Sequence, residues 1–310
     1  MNQSRRKGML LKWTGSVLSA FFMIMSFQAQ AITIEHAKGV TQFAATPKRV
    51  VALGNASLDV LDKLGIKPVA TPHAMLPEYL AGYRSNTVNA GAFFEPDFEA
   101  IFNAKPDVIV VEKRMMKSYN QLRKIAPTIV FDLSGDHYWA ETQANWRMLG
   151  KLFEKEQQVE AYISKLQQQF DAIHNEVAER QLSSLMLMNN GSQVAMFGKG
   201  SRFTVVFDEF GFTESASSKE ASKPTPHGNL ISFEYIFDAK PDVIFVIDRE
   251  QAIGKREGHA KVMFDNKLVN ATPAGQNQRV IFVDPNAWYI SGGGITATES
   301  MLNDVSSALN

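Results

Sequence analysis

Two stretches of the chain share one pattern of apolar and polar positions. Phe98 to Arg114 reads FEAIFNAKPDVIVVEKR and Phe233 to Arg249 reads FEYIFDAKPDVIFVIDR, with 12 of 17 positions identical at an offset of 135 residues. In each copy apolar residues at helical spacing (Phe98, Ile101, Phe102; Phe233, Ile236, Phe237) lead through a Lys-Pro-Asp turn into a β-branched run. A short unbroken run such as Val108 to Val111 or Val243 to Ile247 predicts a strand buried on both faces of a parallel sheet. The same offset sets Val50 to Leu53 against Leu185 to Met188, Asn55 against Asn190 and Ser57 against Ser192. The duplication is therefore expected to cover whole lobes.

Between the copies, residues 154 to 181 contain neither Gly nor Pro. Apolar side chains fall there at Val159, Tyr162, Ile163, Leu166, Phe170, Ile173 and Val177. Those spacings of three and four predict one long amphipathic helix. At about 1.5 Å per residue it would run about 40 Å, enough to join two lobes and limit their hinge motion. Gly65 and Gly211 follow apolar helical stretches as stop signals. The expected fold class is α/β, with parallel sheets in both lobes joined by the long helix. The expected division is residues 32–153, the helix 154–181, and residues 182–310. Ligands in such sheets bind beyond the carboxyl ends of the strands, where Arg114 and Arg249 follow theirs.

The N-terminus changes the compartment. Arg5, Arg6 and Lys7 precede an apolar stretch from about Val17 to Phe27, and Ala29-Gln30-Ala31 follows. This is the layout of a signal peptide over residues 1–31, cleaved after about Ala31; the apolar core is short for the alternative, a membrane anchor. Ser4-Arg5-Arg6 leaves open whether export is by the general or the twin-arginine route. Removing the segment takes away four basic residues and no acid, leaving 28 basic against 32 acidic side chains. That acidic balance argues against a nucleic-acid partner. The chain has no cysteine, which excludes disulfides, thiolate metal sites and a lipid-bearing N-terminal cysteine. A free monomer in the periplasm is expected.

Catalytic patterns do not stand out: the sequence lacks G-x-S-x-G, H-E-x-x-H, a P-loop and G-x-G-x-x-G. Gly292-Gly293-Gly294 reads as a turn before a helix N-terminus. The six histidines are scattered without zinc-ligand spacing. Three segments of the second half remain: Phe197 to Arg202, the polar run Ser215 to His227, and Asn286 to Tyr289. The second of these is expected to be a surface loop. Taken alone, His227 reads as a solvated loop residue and Tyr289 as a packing aromatic.

With the repeated FEAIFNAKPDVIVV unit, the long helix and the export signal, the mature chain resembles the periplasmic substrate-binding proteins that serve siderophore, haem and cobalamin ABC importers. His227 in PTPHGNLISFEYI, Tyr289 in NAWYISGGG, and arginines in GKGSRF, FVIDR and VVEKR resemble the ferric-catecholate subgroup. The resemblance implies that Arg114, Arg202 and Arg249 oppose the ligand's charge, −3 for a tris-catecholate ferric complex and −1 for a bis-catecholate one. It implies that His227 and Tyr289 fill the two iron sites a bis-catecholate leaves open, and that Glu99 and Glu234 dock onto arginines of an inner-membrane permease dimer. The Fe(III)-siderophore is then cargo, with no intrinsic cofactor and no catalysis. A haem or cobalamin carrier on the same fold, or a periplasmic hydrolase, is the alternative.

Overall fold

The computed structural model describes residues 31–135, 137–216, 228–254 and 258–310. The proposed signal segment before Ala31 and the candidate ligand His227 lie outside them. Two sheets form the frame. The first runs Val88–Asn89, Ala70–Thr71, Val50–Leu53, Val108–Glu112, Thr128–Phe131, and every pairing in it is parallel. The second runs Asn229–Ile231, Gln193–Phe197, Ser183–Asn190, Val243–Asp248, Val280–Phe282. It has a parallel centre, to which an antiparallel hairpin adds the strand Gln193–Phe197, with Asn229–Ile231 pairing antiparallel outside it as the edge. The two-residue turn of that hairpin places Gly191 at φ 61°, a conformation that suits glycine.

The duplicated unit is reproduced in detail. Asp97 caps the helix Phe98–Asn103 by accepting from the Ala100 amide, and Ser232 caps Phe233–Ala239 by accepting from the Tyr235 amide. Each helix then gives way to a lysine in the left-handed region, Lys105 at φ 46° and Lys240 at φ 48°, ahead of its proline. The aspartate after the proline ties down the start of the neighbouring strand: Asp107 accepts from the Lys48 and Arg49 amides, and Asp242 from the Ser183 amide. The offset of 135 does not hold everywhere. Val50 pairs with Val108, whereas Val243, 135 residues after Val108, pairs with Ser184, so this neighbouring strand is offset by 134. Asn55 accordingly corresponds to Asn189, and the expected match with Asn190 is displaced by one residue.

Alternation explains the unbroken apolar runs. Val50, Ala52, Val108 and Val110 turn into one core shared with Met186, Met188, Val243 and Phe245 of the second sheet. Val51, Leu53, Ile109 and Val111 pack into a separate cluster behind the first sheet, and Leu185, Leu187, Ile244 and Val246 into one behind the second. Both faces of each sheet are buried, so both residue parities must be apolar. The helix Glu156–Glu179 lays Val159, Ile163, Leu166, Phe170, Ile173 and Val177 into the shared core. This core is continuous across both sheets.

The C-terminal helix Ile295–Leu309 packs on both the first helix, Asn55–Lys63, and the long helix. Its N-terminus is held by a carboxylate from the first half. Buried Asp59 accepts from the Thr296 and Ala297 amides at 3.0 and 2.9 Å, from the Thr296 hydroxyl at 2.7 Å and from the Tyr79 hydroxyl at 3.1 Å. A side chain at Gly294 would collide with that carboxylate, which is why the glycine run ends where the helix begins. Burial pushes the Asp59 carboxyl up, and the four donors oppose it.

Candidate ligand-binding site

The site forms where strands end. The strand Val243–Asp248 turns directly into the helix Arg249–Ala252, which Asp248 caps by accepting from the Gln251 amide, so Arg249 stands at the sheet's carboxyl edge. The strand Val108–Glu112 runs into the turn Lys113–Ser118, which carries Arg114. Arg202 lies in the turn after the strand Gln193–Phe197. Tyr289 ends the short helix Pro285–Tyr289, started by Pro285 and capped by Asp284, which accepts from the Asn286 and Ala287 amides.

These four residues meet. Arg114 Nη2 donates to the Tyr289 carbonyl at 2.8 Å and Arg202 Nη2 donates to the same oxygen at 3.0 Å. A carbonyl in the last turn of a helix lacks an intrahelical donor and carries partial negative charge, so it suits two guanidinium groups. Arg249 Nε donates to the Tyr289 hydroxyl at 3.4 Å and its Nη1 to Asn190 Oδ1 at 3.1 Å. The guanidinium carbons of Arg202, Arg114 and Arg249 lie 4.6, 5.7 and 6.0 Å from the centre of the Tyr289 ring. One phenol is thus ringed by three cations, with Arg114 reaching across from the first half.

The charges shape one another. Burial alone would push the Tyr289 phenol up. The hydrogen bond from Arg249 and the fields of Arg202, Arg249 and Arg114 outweigh it, so its proton is held below the ordinary tyrosine value. Burial and the neighbouring Arg114 bring Arg202 down to about 10, still charged at neutral pH. Arg202 as a residue is exposed, while its guanidinium packs over the Phe203 and Tyr289 rings. Arg114 is lowered by burial, and the Glu112 carboxylate two residues before it works the other way. Glu112 is itself half-buried, and desolvation pushes its carboxyl up. The amide and hydroxyl of Ser57, both donating at 2.7 Å, favour its charged form.

A cavity of about 320 Å³ opens beside this cluster, lined by Met188, Asn190, Phe197, Leu230 and three of the charged-site residues, Arg202, Arg249 and Tyr289. Apolar walls with a few converging cations suit a compact organic anion. The phenol, its proton weakened, is a hard oxygen donor of the type Fe(III) prefers. A larger concavity of about 620 Å³ shares Gln193 and Leu230 with it and extends against Val194, Phe233, Glu234, Met263 and Leu268. None of Arg114, Arg202, Arg249 and Tyr289 lines it.

The structure therefore brings together Arg114, Arg202, Arg249 and Tyr289. Glu99 and Glu234 sit apart from them, exposed on the helices Phe98–Asn103 and Phe233–Ala239. Sequence reasoning missed Phe93, whose ring supports Arg114 at 4.8 Å and which packs with Ala252 and Ile290 of the second half. It also missed Glu112. The aromatic pair Phe93-Phe94 between Gly91 and Pro96 was the available signal, since a loop holding two adjacent phenylalanines needs something to pack on.

Residues 50–287 match the model of a family described as periplasmic binding protein. The petrobactin-binding protein YclQ of Bacillus subtilis (strain 168) is 32% identical over 285 residues, covering 90% of this chain and 89% of the relative. The ferric-anguibactin-binding protein FatB of Vibrio anguillarum is 31% identical over 280 residues, covering 88% and 86%. The crystal structure of the periplasmic catecholate-siderophore binding protein VctP from Vibrio cholerae superposes with a TM-score of 0.85 at 42% identity, covering 90% of this chain and all of that one.

Proposed function

The chain belongs to the periplasmic binding protein family, and from that premise we propose that it captures ferric catecholate siderophores and delivers them to an ABC importer in the inner membrane. Its relatives are named for ferric siderophores and for a catecholate siderophore, and the family is one of binding proteins rather than catalysts. The observation that carries the catecholate reading is the convergence of three guanidinium groups, drawn from both halves, on Tyr289. Planar guanidinium forks suit catecholate oxygens, and three of them oppose a polyanion.

In this reading two lobes, residues 32–153 and 182–310, close on the ligand from either end of the helix 154–181. Tyr289 and His227 take the two iron positions that a bis-catecholate leaves open. His227 stands three residues before Leu230, which lines the cavity. Binding through the phenolate releases the tyrosine's proton. The mature protein works as a monomer free in the periplasm, having no cysteine to carry lipid. Glu99 and Glu234 dock the loaded protein onto a permease dimer.

Two measurements test this. A ferric bis-catecholate should produce a phenolate-to-iron absorption band that Tyr289→Phe removes; a band unchanged in that variant contradicts iron ligation by Tyr289. Charge reversal at both glutamates should abolish uptake at unchanged ligand affinity, whereas weakened ligand binding would assign the glutamates to the site or the fold.

A further inference from the structure

Phe102 and Phe237 are repeat-equivalent at the offset of 135 and both are solvent-exposed, by 65% and 38%. Ile101 and Ile236 are the fully buried residues of these elements, and neither phenylalanine belongs to the clusters those isoleucines join. Each follows its glutamate by three residues, Glu99 then Phe102 and Glu234 then Phe237, which places carboxylate and ring side by side on one helix face. Two neighbouring positions differ between the copies, Ala100 against Tyr235 and Asn103 against Asp238. The exposed glutamate–phenylalanine pair is nonetheless present in both.

We propose that Phe102 and Phe237 are matched apolar anchors by which each half of this protein grips one half of a two-fold symmetric permease that offers, beside each basic residue, an apolar pocket. The inference rests on the docking reading of Glu99 and Glu234 and adds to it what those charges lack. The Glu234 carboxyl is fully exposed and held below its ordinary range by its own backbone amide and the Ser232 hydroxyl, so it meets a partner ionised. Exposed ion pairs steer encounter and fix register but contribute little grip. Buried aromatic anchors ringed by polar contacts supply most of the energy of a typical interface. Two such anchors related by the internal duplication fit a partner built from two identical subunits, because a symmetric surface is best met by a symmetric one.

The test uses the full-length chain in cells lacking their own copy, fed radioiron as the ferric bis-catecholate, with ligand affinity by tryptophan fluorescence and thermal melting measured in parallel. Phe102→Ala with Phe237→Ala should lower uptake by about tenfold or more while affinity and melting stay at wild-type values. Phe102→Leu with Phe237→Leu should retain most uptake, because an apolar anchor remains. Wild-type uptake in the alanine pair, alongside abolished uptake on charge reversal of both glutamates, overturns the anchors and leaves the docking reading intact. Wild-type uptake in the charge-reversed protein overturns the docking reading itself, and the anchors with it. A drop in ligand affinity or melting temperature in the alanine pair also overturns the proposal, since the rings would then serve the site or the fold.

Discussion

Replacing Arg114 by methionine keeps most of the side chain's bulk against Phe93 and removes one positive charge from the cleft. Arg114 lies 5.7 Å from the centre of the Tyr289 ring, which we take as the distance scale for an anion held at the phenol. Coulomb's law then gives about 0.7 kcal/mol per unit of ligand charge in water-like surroundings and about 3 kcal/mol at an effective dielectric constant near 20. The residue is half-buried, so the loss falls between these limits. Even at the lower one, a complex of charge −1 should lose about threefold in affinity and one of charge −3 about fortyfold. The hydrogen bond to the Tyr289 carbonyl, 2.8 Å in length, is lost whatever the ligand and cancels in that comparison. Quenching of intrinsic tryptophan fluorescence by ferric bis- and tris-catecholates, at low and high salt, reads both losses. The gap between the two ligands should shrink as salt rises. Equal losses for both ligands, or a gap indifferent to salt, would refute the electrostatic role of this residue.

Other outcomes follow from the same geometry. In the ligand-free protein the Tyr289 phenol should titrate below the ordinary tyrosine range, read by ultraviolet difference spectra against Tyr289→Phe, and Arg249→Met should move it upward. Asp59→Ala should destabilise the protein by about 2–4 kcal/mol, read in chemical denaturation, because it leaves buried donors at the start of the C-terminal helix without their acceptor. Folding raises the Asp59 pKa, so between its unfolded and folded values the native state binds the extra proton. This group's contribution to stability is therefore largest below the unfolded pKa and falls as pH rises through the folded one. Asp59→Asn should flatten that part of the pH profile. Ser232→Ala should cost about 0.5–2 kcal/mol by removing the cap of the helix that carries Glu234 and Phe237, without changing ligand affinity.

Much of this architecture was legible because burial on both faces forces both residue parities to be apolar, as in Val108 to Val111 and Val243 to Ile247. The long helix announced itself through seven apolar positions at helical spacing, six of which are buried. The one-residue slip of the offset at Ser184 was hidden, since Leu185 to Met188 is apolar at every position and any register looks equally good. The antiparallel hairpin at Gly191 did leave a signal, the polar run Asn189-Asn190-Gly191-Ser192-Gln193 with its Asn-Gly pair between two apolar stretches. Arg114 and Arg249 could be placed at strand ends from spacing alone. That Arg114 and Arg202 share the Tyr289 carbonyl could not, because backbone acceptors leave no trace in side-chain identity. Asp59, buried inside a helix, and Glu112, half-buried at a strand end, escaped notice because a single acid reads as an ordinary surface residue until its donors are seen.

The account's central claim, that this cleft is built for a ferric catecholate, is tested most directly by a parallel titration. Tryptophan fluorescence of the wild-type protein would be followed with ferric bis-catecholate, ferric tris-catecholate, a ferric hydroxamate, haem and cobalamin. Tightest binding by the ferric catecholates is the predicted result. Tighter binding of haem with a Soret band, or of cobalamin or the hydroxamate, would contradict it.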